Sequence, residues 1–542
     1  MNLIPIDPRT LGIPHDSWRD NQYLALESIM QELTTMNNRF AYLELPTGSG
    51  KSAIATALGQ RQQVTVLVGT LNLLHQYRDA YGFDIIEGRQ NYECTLTRKV
   101  QQWSKHGRTP TAADCGYSPM HECPASGSCP YLSAKEIGLN SNRLAVTYKY
   151  AFLSRKVRER PGVLVCDECH ESVEQIVSFS TFKVSEGDVV RDNLPPLPLR
   201  DYMGSGGIVE HGAAIVLGRW LMQCAARYKY LLTSAGDVDT YDPQRQRIER
   251  KGKKFDDMLQ SLDSTGWFLR CMDDRGEVTL ELKALDAATI AKRLWDRKQF
   301  TVLMSATIGD PAPLSKELGI SRYSSKTYPH PVPAEFRPVF DLGVPKMTWK
   351  ALQNDPGLFN TQAQAISRWV REYPAEWRGI VLTSSYAKIQ KLDHYLQVGY
   401  ESLRGRKFIT QGSMNGYGVK DYTKMFINSP GAGDVLLASV QGFGHGLDLK
   451  GDLARWAVVG GVPHTNPRDR YEQLRRKRNG KYGWWKAYNT VVQSIGRVSR
   501  GERENGEWLL NVAAIADGSA LTPTAMRYYP EYFKEAIREW RQ

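Results

Sequence analysis

The chain has 542 residues, of which 41% are hydrophobic and 24% charged, and a formal net charge of +12. At roughly 100–200 residues per domain this length predicts about three or four domains, and the composition excludes collagen-like, coiled-coil and disordered classes. The basic balance favours a polyanionic partner gripped through its phosphates, and no apolar run reaches the roughly 18 residues of a membrane span.

The first residues, Met1-Asn2-Leu3-Ile4-Pro5, lack the basic start and apolar core of a secretion signal, so a cytoplasmic location is expected. Short apolar runs bounded by polar or glycine-rich turns then recur along the chain. They predict buried strands at Phe40–Leu45, Val64–Val68, Val163–Val165, Val302–Met304, Ile380–Leu382, Val435–Ala438, Trp456–Val459 and Trp508–Val512. Helical patterns such as Ser52–Leu58 and Gln362–Val370 lie between them. Alternating strands and helices predict an α/β layer architecture.

Two stretches break the alternation. Residues 90–135 are rich in cysteine and turns, and residues 176–295 carry many charges and few strand candidates. Both read as insertions in a first α/β unit built from 1–89, 136–175 and 296–330. Tyr328–Pro345, with five prolines, reads as a linker, and a second α/β unit runs from 346 to 542.

The strand at Phe40 runs into Pro46-Thr47-Gly48-Ser49-Gly50-Lys51-Ser52 and then a helix, which is the context of a phosphate-binding loop. Its glycines let backbone N–H groups approach phosphate oxygens, and the helix start adds a positive dipole end. Lys51 is expected on the β- and γ-phosphates of ATP and Ser52 on Mg²⁺. The strict motif has a glycine where this chain has Leu45. Next, Val163-Leu164-Val165-Cys166-Asp167-Glu168-Cys169-His170 ends an apolar strand in two acids. Asp167 suits Mg²⁺ and Glu168 suits polarising an attacking water. Cys166 and Cys169 form a Cys-x-x-Cys, for which burial is the expected state. Far downstream comes Gln493-Ser494-Ile495-Gly496-Arg497-Val498-Ser499-Arg500. Arg497 and Arg500, three apart, would share a helix face and reach a γ-phosphate from a second lobe.

Four cysteines, Cys94, Cys115, Cys123 and Cys129, are separated by 20, 7 and 5 residues. Four thiolates suit Zn²⁺ or an iron–sulfur cluster, and the spacing alone leaves both open. The run Arg475-Arg476-Lys477-Arg478 reads as a solvated basic face, and Trp484 and Trp485 as buried aromatics.

In this order these elements resemble the superfamily 2 helicases. Arg19 and Gln22 look like the adenine-side Arg-x-x-Gln. Thr70 and Gln76 resemble motif Ia, Ser305-Ala306-Thr307 motif III, and Thr383-Ser384-Ser385 motif IV. Gly442 to Gly451, with Asp448, resembles motif V of the XPD-like and DinG-like branch. The chain departs from that branch at Leu45, Cys169, His445, Asn505 and Asn511. Gly88-Arg89-Gln90-Asn91-Tyr92-Glu93-Cys94 and Cys129-Pro130-Tyr131 resemble the surroundings of the branch's [4Fe–4S] site.

The resemblance implies two RecA-like parallel-sheet motor domains, with an iron–sulfur insertion at 90–135 and an arch insertion at 176–295 in the first. It implies ATP bound by Arg19, Gln22, Thr47, Gly48, Ser49, Gly50, Lys51, Ser52 and Asp448. It implies Mg²⁺ on Ser52 and Asp167, a [4Fe–4S] cluster on the four cysteines, and catalysis by Lys51, Asp167, Glu168, Gln493, Arg497 and Arg500. The expected activity is ATP-dependent unwinding of forked or tailed duplex DNA, moving 5′ to 3′ on single-stranded DNA, with replication or repair proteins as possible partners. An ATP-gated nucleic-acid clamp without unwinding is the alternative. A helicase with a fused N-terminal nuclease is disfavoured, because little chain precedes the phosphate loop.

Overall fold

In a computed structural model of the protein, the described residues are 7–104, 107, 109–115, 117, 120–198, 206–234, 243–262, 266–274, 276–398, 406–414, 416–429, 431–440, 449, 451–498, 503–504 and 507–540. Numbered along the chain, strands β1 (Phe40–Glu44), β2 (Val64–Val68), β3 (Asp84–Ile86), β4 (Arg143–Thr147) and β5 (Val163–Cys166) come first. An insertion contributes β6 (Phe182–Ser185), β7 (Gly207–Ile208), β8 (Trp267–Asp274) and β9 (Glu277–Ala284), after which β10 (Phe300–Ser305) and β11 (Ser324–Thr327) return. The first sheet has the order β11-β1-β10-β5-β2-β4-β3, and its described pairings are parallel.

The sequence explains this sheet. β2 is Val-Thr-Val-Leu-Val and is buried throughout, as a strand covered on both faces by crossover helices must be. Each such aliphatic side chain taken from water contributes about 1.5–3 kcal/mol. Three helices carry the site: α1 (Asp20–Thr35), α2 (Lys51–Gly59) and α3 (Leu71–Tyr81).

The second sheet comprises β12 (Val339–Asp341), β13 (Gly379–Thr383), β14 (Phe408–Thr410), β15 (Val435–Ser439), β16 (Trp456–Val459), β19 (Val512–Ile515) and β20 (Ile537–Glu539). Its order is β14-β15-β13-β16-β19-β12-β20, and its described pairings are also parallel. A hairpin of β17 (Arg503–Glu504) and β18 (Glu507–Trp508) precedes β19. Two expectations change here. The Trp508–Val512 run is split, because Trp508 belongs to the hairpin while Val512 opens the buried sheet strand. The proline-rich stretch 328–345 is also more than a linker, since β12 within it pairs with β19 and β20, so the second sheet begins at Val339 rather than near 346.

The stretch 176–295 also differs from its reading as strand-poor. β6, β9, β8 and β7 form a four-stranded antiparallel sheet, flanked by the helices His211–Ser234 and Pro243–Ser261. Charged residues between its apolar ones masked the alternation: in β9, Leu280, Leu282 and Ala284 are buried, and so is Glu281, which pairs with Lys183 and Arg270.

The second lobe is pinned to the first by the helices Arg470–Arg478 and Gly480–Ile495. Trp485 Nε1 donates to the Ile308 carbonyl at 2.6 Å, and Tyr532 donates to the Ala306 carbonyl at 2.9 Å. The basic run is part of this joint. Arg475, expected on a solvated face, is buried and pairs with Glu317 at 3.0 Å and Glu174 at 3.4 Å, because it points at the first lobe. Trp485 is buried, whereas Trp484 is 45% exposed and stacks on Tyr488.

Candidate nucleotide site between the two lobes

β1 delivers the chain into the phosphate loop. Gly48 and Gly50 have φ of 84° and 77°, a left-handed conformation that a side chain would strain. A Cβ on Gly50 would also fall 1.9 Å from Gln22 Nε2. Gln22, on α1, is held in place: its Oε1 accepts from the Arg19 N–H at 3.0 Å, and its Nε2 donates to the Gly50 carbonyl at 3.4 Å. Of the expected pair, Gln22 therefore touches the loop directly, and Arg19 lines the same cleft. Ser49 Oγ is buried without a hydrogen-bond partner among the described residues, which suits an incoming phosphate oxygen.

Lys51 opens α2, and its Nζ lies 3.3 Å from Glu168 Oε1. Glu168 follows β5 with φ 49°, an unusual conformation for a residue with a side chain. Such backbone costs on the order of 1–3 kcal/mol and persists only where its surroundings impose it. Here the Glu168 N–H donates to Asp167 Oδ1 at 2.9 Å. Burial opposes the charge on Glu168, but Lys51, His170 and Arg497 outweigh it and hold the carboxyl well below its ordinary range. Asp167 is more deeply buried, and burial together with the neighbouring Glu168 charge pushes it up, against the pull of Lys51.

From Glu168 a polar chain crosses to motif III. Ser305 Oγ shares a 2.8 Å hydrogen bond with His170 Nδ1 and donates to Glu168 Oε2 at 3.4 Å. The Thr307 N–H donates to Ser305 Oγ at 3.2 Å. Gln493 Nε2, from the second lobe, donates to Thr307 Oγ1 at 2.8 Å. Arg497 lines the same cleft, of about 1330 Å³, as Lys51, Glu168, Thr307 and Gln493. It does so from a turn, because the helix ends at Ile495. The expected helix face shared with Arg500 is therefore not formed by Arg497. Arg500, Asp448, the motif V segment 441–448 with Lys450, and Asn505 lie outside the described residues.

Thr70 and Gln76 also line the cleft. Thr70 caps α3, its Oγ1 accepting from the Leu73 N–H at 3.3 Å. Two residues escaped the sequence reading. Tyr77 on α3 donates to Asp167 Oδ2 at 2.8 Å. Glu44, at the end of β1, accepts from the N–H groups of Ile308 and Gly309, both at 2.6 Å, and so fixes the turn after motif III. An acid closing an apolar strand was the available signal for Glu44. Tyr77 had none, since its hydroxyl sits in a hydrophobic helix pattern.

The four clustered cysteines are free thiols in the segment between β3 and β4. Burial raises the Cys115 thiol, with nearby Cys123 and Cys129 adding to the shift. Thr95 Oγ1 donates to the Ser128 carbonyl at 3.3 Å, tying the neighbours of Cys94 and Cys129 together. Among the described residues no group of three or more His, Cys, Asp and Glu side chains is placed to hold a metal ion. No helix among them is long and apolar enough to cross a membrane.

Two family models match in chain order, one described as "Type III restriction enzyme, res subunit" over residues 15–186 and one as "Helicase C-terminal domain" over 367–532. No curated protein matches in sequence. Among solved structures, one titled as an XPD helicase aligns with a TM-score of 0.56 at 16% identity, covering 97% of this chain and 100% of that one. Xpd4 of S. tokodaii aligns at 0.54 and 13%, covering 96% and 100%. A structure titled as apo XPD aligns at 0.54 and 15%, covering 95% and 100%. The chain thus matches a restriction-enzyme res-subunit model over its first lobe and a helicase C-terminal model over its second, and shares its overall fold with these XPD structures.

Proposed function

We propose that the chain is an ATP-dependent DNA helicase that moves 5′ to 3′ along a single strand and splits the duplex ahead of it. The observation that carries this reading is one cleft lined by Lys51 and Glu168 from the first lobe and by Gln493 and Arg497 from the second. A nucleotide there would be gripped from both sides, so its hydrolysis would change how the lobes sit together.

Each residue has a task in this reading. Lys51 leaves Glu168 for the β- and γ-phosphates, while the loop N–H groups hold phosphate oxygens. Ser52 and Asp167 would hold Mg²⁺, which neutralises charge on those phosphates. Their burial beside the loop and the unpartnered Ser49 hydroxyl fit that ligand. Glu168, released from Lys51, orients the attacking water and takes its proton. Arg497 stabilises charge developing on the transferred group, with Arg500 as its expected companion.

The insertion at 90–135 would fold around a [4Fe–4S] cluster on Cys94, Cys115, Cys123 and Cys129. The soft donor set of four thiols within one short insertion supports this. The cluster would supply a structural cross-link in a segment too small to bury a core of its own. The antiparallel unit at 176–295 would arch over the strand.

The test is unwinding of 5′-tailed against 3′-tailed duplexes by wild type and by Lys51→Ala. The expected result is separation of the 5′-tailed duplex alone, lost in the variant. Separation of the 3′-tailed duplex would overturn the polarity. Strand-dependent ATP turnover with no separation would replace the motor by an ATP-gated clamp.

A further inference from the structure

We propose that Tyr77 is a positioning residue for the nucleotide's Mg²⁺: its hydroxyl holds the Asp167 carboxylate in the orientation that receives the ion. This rests on the reading of the cleft as an ATP site.

Tyr77 lies on the buried side of α3 and is fully enclosed. Its ring is fixed edge-on against Phe83, with centroids 5.1 Å apart, and near Tyr81 at 6.2 Å. The ring therefore cannot swing the hydroxyl elsewhere. That hydroxyl donates to Asp167 Oδ2 at 2.8 Å, while the Glu168 N–H occupies Oδ1 at 2.9 Å. The two donors fix the carboxylate plane without using up either oxygen, since each oxygen has two lone-pair directions. The phenol thus donates to the carboxylate expected to hold the ion, which a merely space-filling tyrosine has no reason to do.

Groups that orient metal ligands from behind typically change metal affinity or activity by about 10–100-fold when removed. Here the orienting group also belongs to the helix that Thr70 caps at the cleft. A displacement of α3 is therefore felt at Asp167 through a single hydrogen bond.

The experiment uses the full-length chain and Tyr77→Phe, which keeps the ring and removes only the hydroxyl. Binding of N-methylanthraniloyl-ADP is followed by fluorescence while MgCl₂ is titrated, with thermal unfolding measured alongside. The expected result is a midpoint in Mg²⁺ at least about tenfold higher in Tyr77→Phe. Binding of the probe without Mg²⁺ stays unchanged. A midpoint within about twofold of wild type overturns the inference while leaving the nucleotide site intact. Weaker binding of the probe with and without Mg²⁺ alike also overturns it, because that marks a packing defect. Wild type that binds the probe with no dependence on Mg²⁺ overturns both this inference and the reading of the site. Should Tyr77→Phe fail to fold, Asp167→Asn supplies the comparison: a Mg²⁺ midpoint equal to wild type shows that Asp167 has no ion for Tyr77 to position, and overturns the inference. A raised midpoint in Asp167→Asn, with Tyr77→His raising it equally, supports the inference.

Discussion

Gln493 of the second lobe donates from Nε2 to Thr307 Oγ1 of the first at 2.8 Å. Thr307 in turn donates its N–H to Ser305 Oγ, which donates to Glu168 Oε2. A change in the carboxylate that faces the attacking water is therefore passed, through two residues of one strand end, to a side chain on the other lobe. Removing one neutral hydrogen bond costs about 1 kcal/mol, roughly a fivefold effect on a rate. Gln493→Ala is expected to lower strand-stimulated ATP turnover about fivefold while ATP affinity stays near that of wild type. Thr307→Val should act alike, and the double variant should be no worse than either single one. Additive losses in steady-state turnover would show that the two side chains work separately.

Glu168 is held ionised by Lys51, His170 and Arg497 despite burial, and its backbone is strained into a left-handed conformation. A charged, pre-aimed carboxylate is what a water-activating group requires. Glu168→Gln keeps the shape and loses the proton acceptor, so single-turnover hydrolysis should fall by about 10²–10⁴-fold. Nucleotide binding should persist or tighten, because Lys51 no longer has an anionic competitor 3.3 Å away. Lys51→Ala should instead lose the nucleotide, as read by equilibrium binding. A Glu168→Gln protein that hydrolyses ATP at the wild-type rate would remove Glu168 from the chemistry.

The parallel sheets were legible in the sequence because their strands, such as Val64–Val68, are apolar on both faces and end at polar turns. The phosphate loop and the Asp167–Glu168 pair were legible because their chemistry needs fixed residue types next to each other. What stayed hidden depends on tertiary neighbours. β8 and β9 interleave charges such as Arg270, Glu281 and Lys283 with their apolar residues, and only the tertiary partners of those charges, Lys183 and the Tyr471 ring among them, let the strands be buried. Arg475 looks the same in sequence as Arg476, yet only Arg475 meets Glu317 in the interior. Arg497 was assigned to a helix on its spacing, and the helix stops two residues earlier, at Ile495.

Arg475 closes the joint between the lobes. Its guanidinium is buried against Glu317, which is itself buried and also accepts from Asn479 Nδ2 at 3.0 Å. Breaking a buried pair by deleting one partner costs about 3–5 kcal/mol, since the other charge is left uncompensated. Arg475→Ala should lose stability of that order in urea denaturation followed by tryptophan fluorescence. Adding Glu317→Leu should recover a part of the loss, because the stranded carboxylate is then gone. A double variant less stable than Arg475→Ala would mean that Glu317 contributes through other contacts.

The cysteine insertion permits a prediction that separates its role from that of the ATP site. If a cluster staples the insertion, Cys115→Ser should lose absorbance near about 400 nm and bound iron. It should lose duplex separation while retaining most strand-stimulated ATP turnover, because no cysteine of the group lines the nucleotide cleft. A colourless wild type containing zinc would replace the cluster by a zinc site. Normal unwinding by an iron-free Cys115→Ser protein would show that the metal has no part in strand separation.

Glu174 gives the joint a pH dependence. Burial alone would raise its carboxyl, but Lys486, 2.8 Å away, and Arg475 outweigh burial and pull it from 4.5 down to about 2. A folded-state value below the ordinary one means that the charged form is favoured by folding. Its contribution is therefore complete above about pH 4.5 and is lost as pH falls towards 2. Glu174→Gln cannot ionise, so it should lack this contribution at every pH. The melting-temperature gap between wild type and Glu174→Gln should accordingly be widest near neutrality and shrink as the buffer is taken below about pH 4.5. The Glu174 side chain keeps 37% of its surface in solvent, so added salt should narrow the gap at neutral pH as well. A gap that stays constant from neutral to acid would assign the difference to packing and remove Glu174 from the electrostatics of the interface.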